Sequence, residues 1–148
     1  MKKRGTQVNN NTDLANVNFT IHHPHRKQAE GKLILPSEGT CCIKVNSYLD
    51  VSGSITIEEE VLIQEDVKIY THNHDWHNAL PPHKVPLIKK DLHIGKAAFI
   101  GANSVLICVE QIGKYAVIGA GSVLTKSVGD YEVWAGNPAK FLYKRVDK

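Results

Sequence analysis

From Ile94 onward the chain sets an aliphatic at every sixth position: Ile94, Ile100, Leu106, Ile112, Ile118 and Leu124. Ile, Val and Leu make up 38 of the 148 residues, so six hits in one fixed phase arise by chance on the order of a few times in ten thousand. An earlier run, Val45, Val51, Ile57, Ile63 and Ile69, keeps the same spacing. The flanking positions repeat as well. Gly95, Gly101, Gly113 and Gly119 directly follow an aliphatic, and Ala98, Ser104, Ala116 and Ser122 stand four places after one. An α-helix has a period of 3.6 and a strand a period of 2, so neither explains a six. A solenoid does, if each unit is a short strand plus a turn and three units close one triangular coil. The aliphatic then points inward, the small residue packs near a corner, and stacked coils share a continuous core. The expected class is therefore all-β, a parallel β-helix.

The two runs are out of phase, because Ile69 and Ile94 are 25 residues apart. Between them, residues 71–91 hold four histidines, Trp76, Pro81, Pro82 and Pro86. That composition predicts an excursion loop thrown out of the prism, and long loops in compact domains tend to carry function. Gly136-Asn137-Pro138 ends the repeat, and residues 139–148 read as a short amphipathic C-terminal helix. Leu33 is in phase with Val45, but Gly39 takes the position between them. The expected organisation is an N-terminal cap or degenerate first coil over 1–40, the β-helix over 41–135 with its loop, and an extension over 136–148.

Composition narrows the class further. Apolar residues at 42% and charged residues at 22% suit a globular chain, and a net charge of +3 does not argue for a nucleic-acid partner. Met1-Lys-Lys-Arg4 precedes a polar stretch rather than an apolar signal core, and no apolar run is long enough to span a membrane. A cytoplasmic protein is expected. Cys41, Cys42 and Cys108 form no CxxC, and an odd count in a reducing compartment predicts small, near-core hydrophobes rather than disulfides.

The stretches Phe99-Ile-Gly-Ala102, Ile118-Gly-Ala-Gly-Ser-Val-Leu-Thr-Lys126 and Ala135-Gly-Asn-Pro-Ala-Lys140 resemble the hexapeptide-repeat acetyltransferases, in particular the galactoside, maltose and polysaccharide O-acetyltransferase group. The resemblance covers roughly residues 45–145. It implies a left-handed coil, a homotrimer with active sites between neighbouring prisms, acetyl-CoA as co-substrate, and a sugar or saccharide acceptor. It implies no metal. Matching Ile69-Tyr-Thr71 without gaps puts His74 in the place of the family's catalytic histidine, and a slip of two selects His72 instead. Such a histidine would take the proton of a hydroxyl as it attacks the thioester directly, with no acyl-enzyme. For the donor, the resemblance implies Phe99 against the pantetheine, Gly101, Ala102 and Ala120 where the ligand lies close, and Thr125, Lys126 and Lys140 near the nucleotide end. Solvated surface would equally account for the two lysines.

Two departures stand out. Cys108-Val109-Glu110 replaces the family's Pro-Gly-Val, so that corner is expected to open to water or face a neighbour. Ser127-Val-Gly129 replaces the common Asp-Val-Pro. Asn46 and Asp50 could point into the cleft or belong to solvated turns. Three other readings stay open: an amino-sugar N-acetyltransferase, a zinc protein resembling γ-carbonic anhydrases that uses some of His72, His74, His77, His83 and His93, and a non-catalytic solenoid.

Overall fold

The computed structural model describes residues 20–22 and 31–146. Short parallel strands fall into three sheets that form the faces of a prism. Face one stacks Leu33–Ile34, Ile55–Ile57, Leu92–Ile94 and Gln111–Ile112. Face two stacks Cys42–Ile43, Leu62–Ile63, Phe99–Ile100, Val117–Ile118 and Glu132–Gly136. Face three stacks Thr20–His22, Tyr48–Asp50, Lys68–Tyr70, Val105–Ile107 and Val123–Leu124. The chain visits the faces in that order, coil after coil, and the fold is a left-handed parallel β-helix.

The period of six is the inward-facing column. Ile63, Ile100 and Ile118 lie in register along face two, and Leu49, Ile69, Leu106 and Leu124 along face three. All of them are at most 1% exposed. The satellites of the repeat have separate causes. A Cβ on Gly101 would come within 2.5 Å of the Ala120 nitrogen, and one on Gly113 within 2.3 Å of the Asp130 nitrogen. These glycines let one coil rest on the next. Three residues after the inward aliphatic the backbone turns left-handed, at Glu60, Asp66, Ala97, Asn103, Tyr115 and Gly121. Ala98, Ser104, Ala116 and Ser122 follow directly and are buried to 1% or less, which leaves no room for larger side chains.

The register also corrects the phase of the early run. Leu49 pairs with Ile69, and Ile43 with Ile63. The inward positions preceding Ile57 are therefore Leu49 and Ile43 rather than Val51 and Val45. Val45 is 43% exposed, while Val51 is buried at a corner. From Leu49 to Ile57 the chain spends eight residues instead of six. From Ile69 to Ile94 it spends 25, from Leu106 to Ile112 six, and from Leu124 to Val128 four. These four steps all turn the same corner, between face three and face one. Every other step between Ile43 and Trp134 is six.

The excursion has structure of its own. His72–His74 and Leu87–Lys89 form an antiparallel pair, Pro82–Lys84 makes one 3-10 turn, and Val85 is buried. The expected C-terminal helix is not formed. Ala139–Lys144 is a strand that folds back antiparallel on Glu132–Gly136, through a turn in which Gly136 takes φ of 108°. The open edge of face two offers unpaired backbone groups, and Phe141 packs edge-on against Trp134 at 6.4 Å. Edge pairing plus that aromatic contact outweighs the helical pattern in Lys-Phe-Leu-Tyr-Lys, whose aromatics also favour strand. Residues 147–148, like 1–19 and 23–30, lie outside the described residues.

The corrected phase predicts a contrast. Ile100→Ala should cost about 2–5 kcal/mol of stability, as truncations of fully buried aliphatics do, while Val45→Ala should change it by less than about 0.5 kcal/mol. Denaturant midpoints of the two variants check this; equal losses would contradict the register.

Candidate active site

The corner that breaks the period is also where the ionisable groups converge. Asp50 follows inward Leu49 and is fully buried. Its carboxylate gathers donors from both sides of the corner. Oδ2 lies 2.6 Å from His72 Nδ1 and accepts the Thr71 N–H at 3.0 Å, and Oδ1 accepts the Ser52 hydroxyl at 2.8 Å and the Ser52 N–H at 3.2 Å. The Thr71 hydroxyl donates to the Asp50 carbonyl oxygen at 2.8 Å and accepts the Gly53 N–H at 2.8 Å. The two extra residues between Leu49 and Ile57 bring Ser52 and Gly53 into this network, and the start of the excursion supplies Thr71 and His72.

Burial alone would raise the Asp50 carboxyl. The hydrogen bonds from His72 and Ser52, with the attraction of the imidazole, outweigh it and hold the group below its ordinary value. An ionised carboxylate only accepts, so the short contact requires the proton on His72 Nδ1 and puts the neutral ring's lone pair on Nε2. The His72 side chain is 18% exposed.

His74 sits differently. Its ring is 6.1 Å from that of His72, edge to face, and its buried Nδ1 has no hydrogen-bond partner among the described residues. Among the described residues, no carboxylate is hydrogen-bonded to its Nδ1. Among the other loop and face histidines, His77 and His83 are exposed, and His93 Nε2 pairs with Glu58 at 2.9 Å. Among the described residues, no three His, Cys, Asp or Glu are grouped to hold a metal ion.

The seven residues expected to meet the donor divide between two corners. Gly101, Ala102 and Ala120 lie where face two turns into face three, and Phe99 is half-buried just before that turn. Ala102 and Ala120 occupy equivalent places on successive coils, and the Ala102 carbonyl already accepts the Gly121 N–H at 2.8 Å. Gly101 is required by coil stacking. Lys140 is exposed on the C-terminal hairpin beside Ala135, and the hairpin turn touches this same corner through Gly136 N–H to Ser122 Oγ at 3.2 Å. Thr125 and Lys126 are exposed after Leu124, at the corner that carries His72. One chain does not bring all seven together.

Glu110 is exposed, as its corner departure suggests, and pairs with Lys90 at 2.5 Å. Cys41 is buried, Cys42 and Cys108 are half-buried, and none is in a disulfide. Burial raises the Cys108 thiol, with Lys90 partly opposing, and raises Cys41 to about 11. Neither is poised as a nucleophile. Sequence reading missed Ser52 and Thr71 and left Asp50 undecided. The eight-residue step after Leu49 was the available signal.

No protein-family model matches the chain, and a search of curated proteins gives no match. Solved structures do match. A hexapeptide-repeat acetyltransferase from Vibrio cholerae is 26% identical with a TM-score of 0.66, over 79% of this chain and 64% of that one. A galactoside acetyltransferase in complex with coenzyme A is 26% identical with a TM-score of 0.64, over 77% and 55%. A polySia-specific acetyltransferase is 29% identical with a TM-score of 0.58, over 80% and 52%.

The chain has the fold of the hexapeptide-repeat acetyltransferases. It spans between about half and two thirds of the length of these three. No helix among its described residues is long and apolar enough to cross a membrane.

The Asp50 network predicts a pH signature. With its carboxyl held below the usual range when folded, Asp50 stabilises the fold fully above pH about 4, and this contribution is lost as pH falls through the lower folded value. Asp50→Asn should therefore be less stable than the parent at neutral pH and lose less on acidification below about pH 4. Thermal melts across pH check it; parallel acid limbs would contradict the network.

Proposed function

We propose that the protein transfers an acetyl group from acetyl-CoA to a hydroxyl of a sugar or polysaccharide precursor, with His72 as general base and Asp50 as the residue that positions it. The observation that carries this reading is the 2.6 Å contact between the buried Asp50 carboxylate and His72 Nδ1, in a fold shared with acetyltransferases. His72 Nε2 takes the hydroxyl proton while that oxygen attacks the thioester carbonyl carbon. The tetrahedral oxyanion collapses, the carbon–sulfur bond breaks, and the imidazolium returns the proton to the departing thiolate. A new ester and free CoA result. Asp50 stabilises the imidazolium between the two transfers, as a buried carboxylate behind a catalytic histidine does.

His74 is the second reading, supported by its gap-free match to Ile69-Tyr-Thr71 and by its unpartnered Nδ1. Of the two, His72 is preferred because general-base catalysis needs a fixed tautomer, and among the described residues His72, unlike His74, is hydrogen-bonded to a carboxylate.

The donor residues fit a ligand with an apolar arm and anionic phosphates: Phe99 and small Ala102 and Ala120 on one corner, exposed Lys126 and Lys140 for phosphates. Their division between two corners supports a cleft shared by two chains, in which one copy offers the face two–three corner and its neighbour the His72 corner. Each chain then has one of each, so the pairing closes into a ring, and a homotrimer is the proposed assembly. An amine acceptor would use the same base, and a panel containing amino sugars separates the two products.

Calorimetric titration with acetyl-CoA should saturate near one site per chain and weaken in Lys126→Glu. His72→Ala should lower turnover by about 10²–10⁴ with acetyl-CoA affinity nearly unchanged. Full turnover in His72→Ala with loss in His74→Ala would move the base to His74. Absence of acetyl-CoA binding would remove the transferase and leave the solenoid.

A further inference from the structure

The rings around the proposed base form a continuous row. Tyr48 and Tyr70 are 5.6 Å apart on face three, Tyr70 and His72 6.4 Å, His72 and His74 6.1 Å, and His74 and Trp76 5.9 Å. Among the described residues the row runs from the prism to the excursion, where Trp76 is 58% exposed. The backbone beside it is tied down. His74 is in register with Leu87, the Asp75 N–H donates to the Pro86 carbonyl at 2.9 Å, and the His77 N–H donates to Asp75 Oδ1 at 3.1 Å. A large indole is thus held out to solvent by an anchored segment, next to the candidate catalytic histidines.

A polar cavity of about 320 Å³ is lined by Gly31, Ser52, Gly53, Ser54, Lys89 and Asp91. One of its lining residues, Ser52, has its Oγ 3.3 Å from His72 Nδ1. The surroundings of the base thus include aromatic rings, tilted or edge-on to one another, and hydroxyl, carboxylate and backbone groups. A pyranose has matching parts, with C–H groups on its face and hydroxyls around its rim. An indole accepts such a face at little entropic cost, since only two side-chain torsions must be fixed.

We infer that Trp76 is a specificity-determining residue of the acceptor site, a platform on which one pyranose ring of the acceptor stacks while its reacting hydroxyl turns toward His72. The inference rests on the acetyl-transfer reading for its chemistry, but the stacking is measurable without transfer. Trp76 would select acceptors with an uninterrupted C–H face and would contribute nothing to acetyl-CoA.

Two measurements test it. In kinetics with the best acceptor found in a sugar panel, Trp76→Ala should raise the acceptor KM about tenfold and leave acetyl-CoA affinity and native mass unchanged, and Trp76→Phe should recover most of the loss. An unchanged acceptor KM, a loss of acetyl-CoA affinity, or a smaller native mass would each overturn the inference, the last by making Trp76 a contact between copies. The second measurement uses Trp134→Phe protein, in which Trp76 is the sole tryptophan. Its emission should shift to the blue on titration with methyl β-D-galactopyranoside, maltose or a sialic acid oligomer. No response to any of the three up to their solubility would overturn the platform. A response without acetyl transfer, in protein that does not bind acetyl-CoA, would keep the platform and remove the transferase.

Discussion

The column of inward aliphatics governs this molecule. Ile63, Ile100 and Ile118 on one face, and Leu49, Ile69, Leu106 and Leu124 on another, are stacked in register and shut off from water. Each coil buries its aliphatics among themselves and against the coils above and below, in one continuous core, so stability accrues along one dimension. The price of this arrangement is rigidity of phase. A side chain one position out of phase leaves the core, so extra residues must be absorbed without turning the column.

The chain absorbs them at one corner. Eight residues separate Leu49 from Ile57, and 25 separate Ile69 from Ile94, yet the strands on either side resume in register. Two successive coils are thereby opened at the same place. The first opening supplies Asp50, Ser52 and Gly53, the second Thr71 and His72, and the hydrogen bonds among them close the corner again. Buried backbone groups that the regular turns would have satisfied are here satisfied by side chains. A carboxylate buried this way is stable only when its oxygens are well supplied with donors, and one of those donors is an imidazole within reach of solvent. The network that holds His72 is also the one that repairs the fold at this corner.

Much of this was legible in the sequence. The regular coils after Ile94 could be read residue by residue, because glycine, left-handed turn and small buried residue each recur at fixed offsets for steric reasons. The early coils were misread by two positions because Val45 and Val51 carry the right residue type at the wrong phase, and a period of six has no memory across an insertion. The C-terminal strand was hidden because Lys140–Arg145 also suits an amphipathic helix, and the open edge of face two that decides the matter is a tertiary fact. The two histidines stand out in the sequence, but which of them meets a carboxylate depends on Asp50, twenty-two residues before His72. Nothing local to Thr71-His72-Asn73-His74 shows which imidazole a distant carboxylate holds.

The 2.6 Å contact with the buried Asp50 carboxylate puts a proton on His72 Nδ1. Long-range proton–nitrogen correlation of the histidine rings at neutral pH tests it most directly, with His72 assigned by substitution. The expected spectrum shows the Nδ1–H tautomer for His72, giving way to a tautomer mixture in Asp50→Asn. A neutral His72 ring with its proton on Nε2, or a spectrum indifferent to Asp50→Asn, would contradict it.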